Sequence, residues 1–245
     1  MTHDFLSRIR ADLSDPGRTR LLNRQLFTLV APRYDLATRC LSLGRDAAWK
    51  NRLVASLPER PTPVCLDLAC GTGDLSRRLV EKYPAGTIIG LDLTEAMLAQ
   101  ARQQAPSPGV HYRVGDMGHT GLADNSVDIV TGGYALRNAG DLQEALQEVF
   151  RVLKPGGIAV FLDFSKPPHP RLQRLCHTLL KLWGGAWGWV LHRDARVYAY
   201  IADSLARYPD RRQLAALFNK SGFRNLRTRH AFAGLIECLS AEKPR

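Results

Sequence analysis

Between residues 64 and 164, short continuous apolar runs alternate with stretches of helical spacing, and few folds accept that alternation. The runs VCLDLA (64–69), GTIIGLDL (86–93), VHYRVGD (110–116), VDIVTGG (127–133) and GIAVFLDF (157–164) read as strands. Between them DLSRRLVEKY, TEAMLAQARQQ and DLQEALQEVFRVL read as helices, and KPGG at 154–157 reads as a turn before the fifth strand. Strands buried on both faces are apolar throughout, and helical crossovers return the chain in the right-handed sense. The expected fold is an α/β doubly wound sheet that binds its ligands at the carboxyl edge.

Outside this stretch the pattern changes. Residues 5–57 read as helical, with Leu21, Leu22, Leu26, Leu29 and Val30 at helical spacing, until Pro61 and Pro63 punctuate the entry to the first strand. Segment 170–205 joins an apolar-faced stretch (LQRLCHTLLKLW), a Gly- and Trp-rich stretch (GGAWGWV) and a further helical one (VYAYIADSLARYP). The expected division is 1–57 as an N-terminal helical cap, 58–169 as the core, 170–208 as a helical lid insertion, and 209–245 as a closing helix and β-hairpin.

Strand one ends at Asp67, and Gly71-Thr72-Gly73-Asp74 then opens a helix. The glycines permit a tight turn and let a ligand press on the backbone. The second strand ends at Asp92-Leu93, where a carboxylate can accept both hydroxyls of a ribose. A dinucleotide site would need glycine where this chain has Ser76. Asp67 and Asp74 beside the turn repel phosphate and suit an ammonium and a sulfonium. Asp116 and Met117 follow the third strand, placed to accept the exocyclic amine of adenine and donate to its ring; the lesser alternative is that Asp116 merely caps a turn. The ligand this set fits is S-adenosylmethionine, with S-adenosylhomocysteine as product.

Composition narrows the partners. The chain has 245 residues, a formal net charge of +11 and five cysteines without a CxxC pair, so neither a disulfide framework nor a metal site is expected. No basic run exceeds two residues, and TGGYALRN lacks the [ND]PP[YFW] element that grips a flipped base, so nucleic acid is not an expected substrate. MTHDFLSRIRADLSD lacks the apolar core of a signal peptide, and a cytoplasmic location is expected. The apolar segment 172–191, with Arg171, Arg174 and Lys181, could rest on the inner face of an anionic membrane. The oligomeric state is left open.

APRYDLATRCLSLGRDAAWK (31–50), LDLACGTGDL (66–75), ALRNAGD (135–141), RVLKPGG (151–157) and FLDFSKP (161–167) resemble the ubiquinone/menaquinone-biosynthesis C-methyltransferases, as do VYAYIADSLARYPDRRQL and the later SGF. The resemblance implies a Rossmann-like seven-stranded sheet and C-methylation of a polyprenylated hydroquinone. It implies cofactor contacts at Thr72, Asp92, Asp116, Met117 and Gly133. Departures fall on the acceptor side: Tyr134-Ala135 stands where the family has FG, Asp163 where it has Glu, and WGGAWGWVLHRD is atypical. An O- or N-methyltransferase, or a cofactor-binding homologue without transfer, therefore remains an alternative.

For a small aromatic or quinol acceptor, the expected catalytic residues are Arg137, which stabilises a phenolate, Asn138, which orients the ring oxygen, and Tyr34. A bound water, Tyr34, Asp163 or His192 would take the proton. Arg137 could instead pair structurally with Asp141 or Glu144. Trp183, Trp187 and Trp189 could pack within the lid or meet the acceptor.

Overall fold

The apolar runs form one sheet. In the computed structural model, which describes residues 15–104 and 109–245, β1 (Val64–Leu68), β2 (Thr87–Asp92), β3 (Val110–Val114), β4 (Val127–Gly133) and β5 (Leu153–Phe164) lie parallel. The hairpin β6 (Arg224–Ala231) and β7 (Ile236–Glu242) adds two strands, giving the order β3-β2-β1-β4-β5-β7-β6 with β7 antiparallel to both its neighbours. The strand order reverses between β1 and β4, and that switch point opens a crevice at the carboxyl edge.

Among the described residues three α-helices precede the sheet: α1 (Pro16–Val30), α2 (Tyr34–Leu41) and α3 (Asp46–Ala55). The helical reading of residues 5–14 lies outside the described residues. Asp15 caps α1 by accepting from the Gly17 and Arg18 amides, and Pro16 fits the first turn, where no amide is needed. Leu26 and Val30 are buried as expected, but Leu21 points to solvent. The crossovers are α4 (Asp74–Lys82), α5 (Glu95–Gln104) and α6 (Leu142–Val152). Leu66, Leu68, Val130, Val149, Phe161 and Phe218 form the core on one face of the sheet. Cys65, Leu75, Leu79, Ile88 and Ile129 form it on the other.

Two local expectations need correction. KPGG does not precede β5 but lies inside it, where the register with β4 slips between Val127 and Ile129, and Gly156 takes a left-handed φ of 75° at that bulge. The Gly- and Trp-rich stretch is not a break either. One helix, α7 (Pro170–His192), runs through it and turns into α8 (Arg196–Arg207); α9 (Arg211–Lys220) follows. The glycines serve helix contact: a Cβ on Gly184 would meet the Tyr198 carbonyl oxygen at 2.5 Å, and one on Gly188 the Asp194 carbonyl oxygen at 2.6 Å. α7 and α8 thus approach backbone to backbone, and α8 presents its buried Tyr198, Tyr200 and Ser204 toward the carboxyl edge.

Candidate functional site

The turn after β1 is held by backbone geometry. Ala69, Gly71 and Gly73 all have positive φ, and a Cβ on Gly73 would collide with the Tyr112 hydroxyl at 2.3 Å, so glycine is required there. The turn delivers the Gly71 amide to the Asp92 carboxylate at 2.9 Å, and the Thr94 amide binds its other oxygen at 2.8 Å. Burial nevertheless outweighs these bonds and pushes Asp92 up to about 6. Each oxygen keeps acceptor capacity for a further donor.

Asp92 lines a cleft together with Gly71, Leu93, Asp116, Met117 and Gly133, so six of the nine sequence-derived cofactor residues converge on one space. Asp116 also caps its own turn through the Gly118 amide at 2.7 Å. Its second oxygen pairs with Arg20 of α1 at 2.7 Å, and Arg20 also holds Glu144. The lining suits a nucleoside: a carboxylate at the end of β2, a second 24 residues on beyond β3, Leu93 and Met117 next to them in sequence, and Arg20 alone among the lining residues as a cation, too few for a pyrophosphate.

The other three residues serve the turn. Asp67 is fully buried, accepts from Ser76 at 2.6 Å and Thr131 at 3.2 Å, and burial raises it to about 7. Thr72 donates its hydroxyl to Asp35 at 2.6 Å, which ties α2 to the turn, and Gly73 starts α4. None of them lines the cleft. Asp74 is not available to an ammonium either. The buried Lys50 of α3 bridges it at 3.0 Å and Asp46 at 2.8 Å, and Arg78 adds a contact at 3.2 Å. Burial opposes charge on both partners, yet their pairing wins: Lys50 is held well above its usual range and Asp74 below.

Beside the cleft lies a second, mostly apolar cavity that opens to solvent. Trp49, Phe164, Tyr198 and Leu180 contribute to its walls, and Arg137 is a cation in them. The Arg137 side chain is 5% exposed. Its guanidinium stands 5.3 Å from the Phe164 ring, donates to the Ser204 hydroxyl, and faces Asp163 with Nε–Oδ1 at 3.7 Å. Its ion-pair partner is therefore neither Asp141, which caps α6, nor Glu144, which binds Arg20. Arg137 Nε is buried and has no hydrogen-bond partner.

Phe27, Tyr34, Tyr134 and Asn138 line both spaces and mark where they meet. Tyr134 sits there at a φ of 59°, strain set by the chain's turn out of β4, with its hydroxyl donated to Asp46 at 2.8 Å. Asn138 is anchored from three sides: its amide donates to the Tyr134 carbonyl at 2.9 Å, its carbonyl accepts from Asn23 at 2.6 Å, and Tyr200 approaches its side-chain oxygen at 3.5 Å. Burial holds the Tyr34 phenol protonated, and Asp163 and His192 line neither space. The Trp183, Trp187 and Trp189 side chains line neither space, whereas Trp49, Phe27 and the α8 tyrosines do. Those aromatics gave no signal beyond helical spacing, since their convergence depends on tertiary packing.

The family model described as the ubiE/COQ5 methyltransferase family matches residues 17–243. The chain is 35% identical over 228 residues to a demethylmenaquinone methyltransferase of Desulfitobacterium hafniense, covering 89% of this chain and 88% of that one. It is 34% identical over 222 residues to the ubiquinone/menaquinone biosynthesis C-methyltransferase UbiE of Dinoroseobacter shibae, covering 89% of each. In fold it is similar to a SAM-dependent methyltransferase of Thermotoga maritima, with a TM-score of 0.62 at 19% identity over 90% of this chain and 99% of that one.

Proposed function

The chain belongs to the ubiE/COQ5 methyltransferase family, and from that premise we propose that it C-methylates a demethylated hydroquinone of quinone biosynthesis with S-adenosylmethionine as donor. The observation that carries this reading is the pair of adjoining spaces, one lined by Asp92 and Asp116, the other mostly apolar with Arg137 in its wall.

In this reading Asp92 accepts the ribose hydroxyls, Met117 packs beside the adenine, and Asp116 takes its exocyclic amine by displacing Arg20, which keeps Glu144. Gly71 and Gly133 leave room for the donor's amino-acid end and sulfur. S-adenosylmethionine supplies an electrophilic methyl group. The acceptor ring lies among Phe164, Trp49 and Tyr198 with one oxygen at Arg137, whose charge lowers the pKa of that hydroxyl. Its proton passes to water, because Tyr34 is held protonated and Asp163 is turned to the backbone amides of Arg137 and Phe164. With the donor bound, the adjacent ring carbon would take the methyl group as its bond to sulfur breaks toward sulfur, and the ring proton would leave while the oxygen is reprotonated. Net, one proton is released. Asn138, pinned by Asn23 and Tyr134, keeps the two spaces in register, which in-line transfer requires at about 3–3.5 Å.

The reaction belongs in the cytoplasm at the inner face of the membrane, where lipophilic quinols reside. The test is transfer from methyl-labelled donor to a demethylated naphthohydroquinone, with the label located by mass fragmentation. Label on the ring carbon is expected. Label on oxygen, or none on any hydroquinone, overturns the reading.

A further inference from the structure

α7 uses only one of two apolar faces. Leu180 lines the acceptor cavity and Gly184, Gly188 and Leu191 pack inward, as its place against α8 demands. On the outward side Leu175, Leu179, Leu182, Trp183, Trp189 and Val190 are between 40% and 66% exposed. Their spacing (i, i+4, i+7, i+8, i+14, i+15) gathers them on one continuous flank of the helix. Scattered exposed leucines need no explanation, but six large apolar side chains on one face of one helix do.

The charges on α7 itself have one sign. α7 contains no acidic residue, and Arg171 and Arg174 stand exposed near its start. Arg193, just past its end, lays its guanidinium on the Trp189 ring at 4.9 Å. Lys181 does not belong with them, since Asp203 of α8 engages it at 3.4 Å. Among the described residues no helix is long and apolar enough to cross a membrane. A 23-residue helix of this kind is instead about 35 Å of amphipathic surface suited to lie flat at a lipid interface. The cavity rim is apolar and exposed too: Leu43 and Phe232 line the cavity while 64% and 44% exposed, and α2, which packs beside α7, adds the exposed Leu36.

We propose that the outward face of α7 docks on an anionic lipid leaflet, so that an acceptor's ring enters the cavity while its hydrocarbon tail stays in lipid. Docking itself rests on α7 alone; the tail rests on the function proposed above. A second copy of the chain is the weaker occupant, because a two-fold contact would bring arginines against arginines with no carboxylate on α7 to meet them. Lipid phosphates and acidic headgroups complement them, and each arginine near the surface adds to binding.

The experiment is flotation of the full chain with phosphatidylglycerol-rich and pure phosphatidylcholine vesicles, alongside sedimentation velocity without lipid. The wild type should float with anionic vesicles, more weakly with neutral ones and more weakly in high salt. Leu179→Glu/Trp183→Glu should lower the partition coefficient at least ~10-fold while keeping the wild type's circular dichroism and its turnover of a tail-less hydroquinone. Should that variant misfold, Arg171→Glu/Arg174→Glu, on the polar flank, should lose the preference for anionic over neutral vesicles. Failure of the wild type to float, or equal flotation of both variants, overturns the proposal. So does a dimer that Leu179→Glu/Trp183→Glu dissociates without any vesicle binding. Flotation without turnover of any hydroquinone would leave docking standing and remove the catalytic reading instead.

Discussion

Replacing Asp92 with asparagine isolates what its charge contributes to donor binding. In the free protein its oxygens already accept the Gly71 amide at 2.9 Å and the Thr94 amide at 2.8 Å, so the side-chain nitrogen of an asparagine would face one of these two backbone donors. The ribose then exchanges two hydrogen bonds to a carboxylate for two weaker ones to a neutral amide, one hydroxyl now accepting. Hydrogen bonds to charged groups contribute about 1.5–3 kcal/mol each, so the loss is about 2–3 kcal/mol, or roughly 30- to 150-fold in affinity. The orphaned backbone amide adds a folding cost of about 1–3 kcal/mol that does not enter the binding constant. Proton linkage gives a second signature. The carboxylate must be ionised to accept both hydroxyls, and burial raises Asp92 to about 6. Affinity should be flat above that value and fall about tenfold per pH unit below it. The α-carboxyl group of an amino acid titrates below this window and its α-amino group only at about 7.7–8.0, well above the Asp92 transition. Calorimetry with S-adenosylhomocysteine from about pH 4.5 to 8 measures both effects. Affinity of Asp92→Asn within about threefold of wild type, or a wild-type affinity independent of pH, would refute the reasoning.

Arg137→Leu should lower turnover by at least ~100-fold, the scale of losing one oxyanion donor, and leave donor affinity unchanged; steady-state kinetics with calorimetry separates the two. Glu148 is held down to about 2 because bonds from Arg151 and Thr120 outweigh its burial. Its folded pKa is depressed, so its stability is present above the unfolded value of 4.5 and lost as pH falls toward about 2. Glu148→Gln should therefore remove up to about 3 kcal/mol at neutral pH and flatten the acid limb of urea titrations. Gly188→Ala should destabilise by about 1–3 kcal/mol, since the new Cβ meets the Asp194 carbonyl oxygen at 2.6 Å and that atom is backbone. A thermal midpoint equal to wild type would count against the close α7–α8 contact.

Much of the fold was legible because its signals are local. β4 falls on VDIVTGG with no residue to spare, and α4 opens at Asp74, where the glycine turn ends. The errors share a cause. GGAWGWV reads as a break because isolated glycine disfavours helix, yet Gly184 and Gly188 let α8 come close, a gain invisible without the partner. Asp74 reads as a ligand for an ammonium until Lys50, 24 residues earlier, is found neutralising it. Thr72 matched a family position, but Asp35 takes its hydroxyl. Arg137 was weighed against its neighbours Asp141 and Glu144, while its carboxylate came from the end of β5. Asp92, Leu93, Asp116, Met117 and Gly133 line one cleft because strand ends at a switch point converge by topology, whatever the side-chain packing around them.

The account stands on donor and acceptor occupying the two adjoining spaces, and a structure with S-adenosylhomocysteine and a demethylated hydroquinone tests that most directly. The ribose should lie on Asp92, the adenine beside Asp116 and Met117 with Arg20 displaced, and the sulfur should face the gap among Tyr34, Tyr134 and Asn138. One ring oxygen should lie within hydrogen-bond reach of Arg137, and the ring carbon beside it should point at the sulfur. A nucleoside bound elsewhere, or a ring held outside the Trp49–Phe164–Tyr198 cavity, would contradict it.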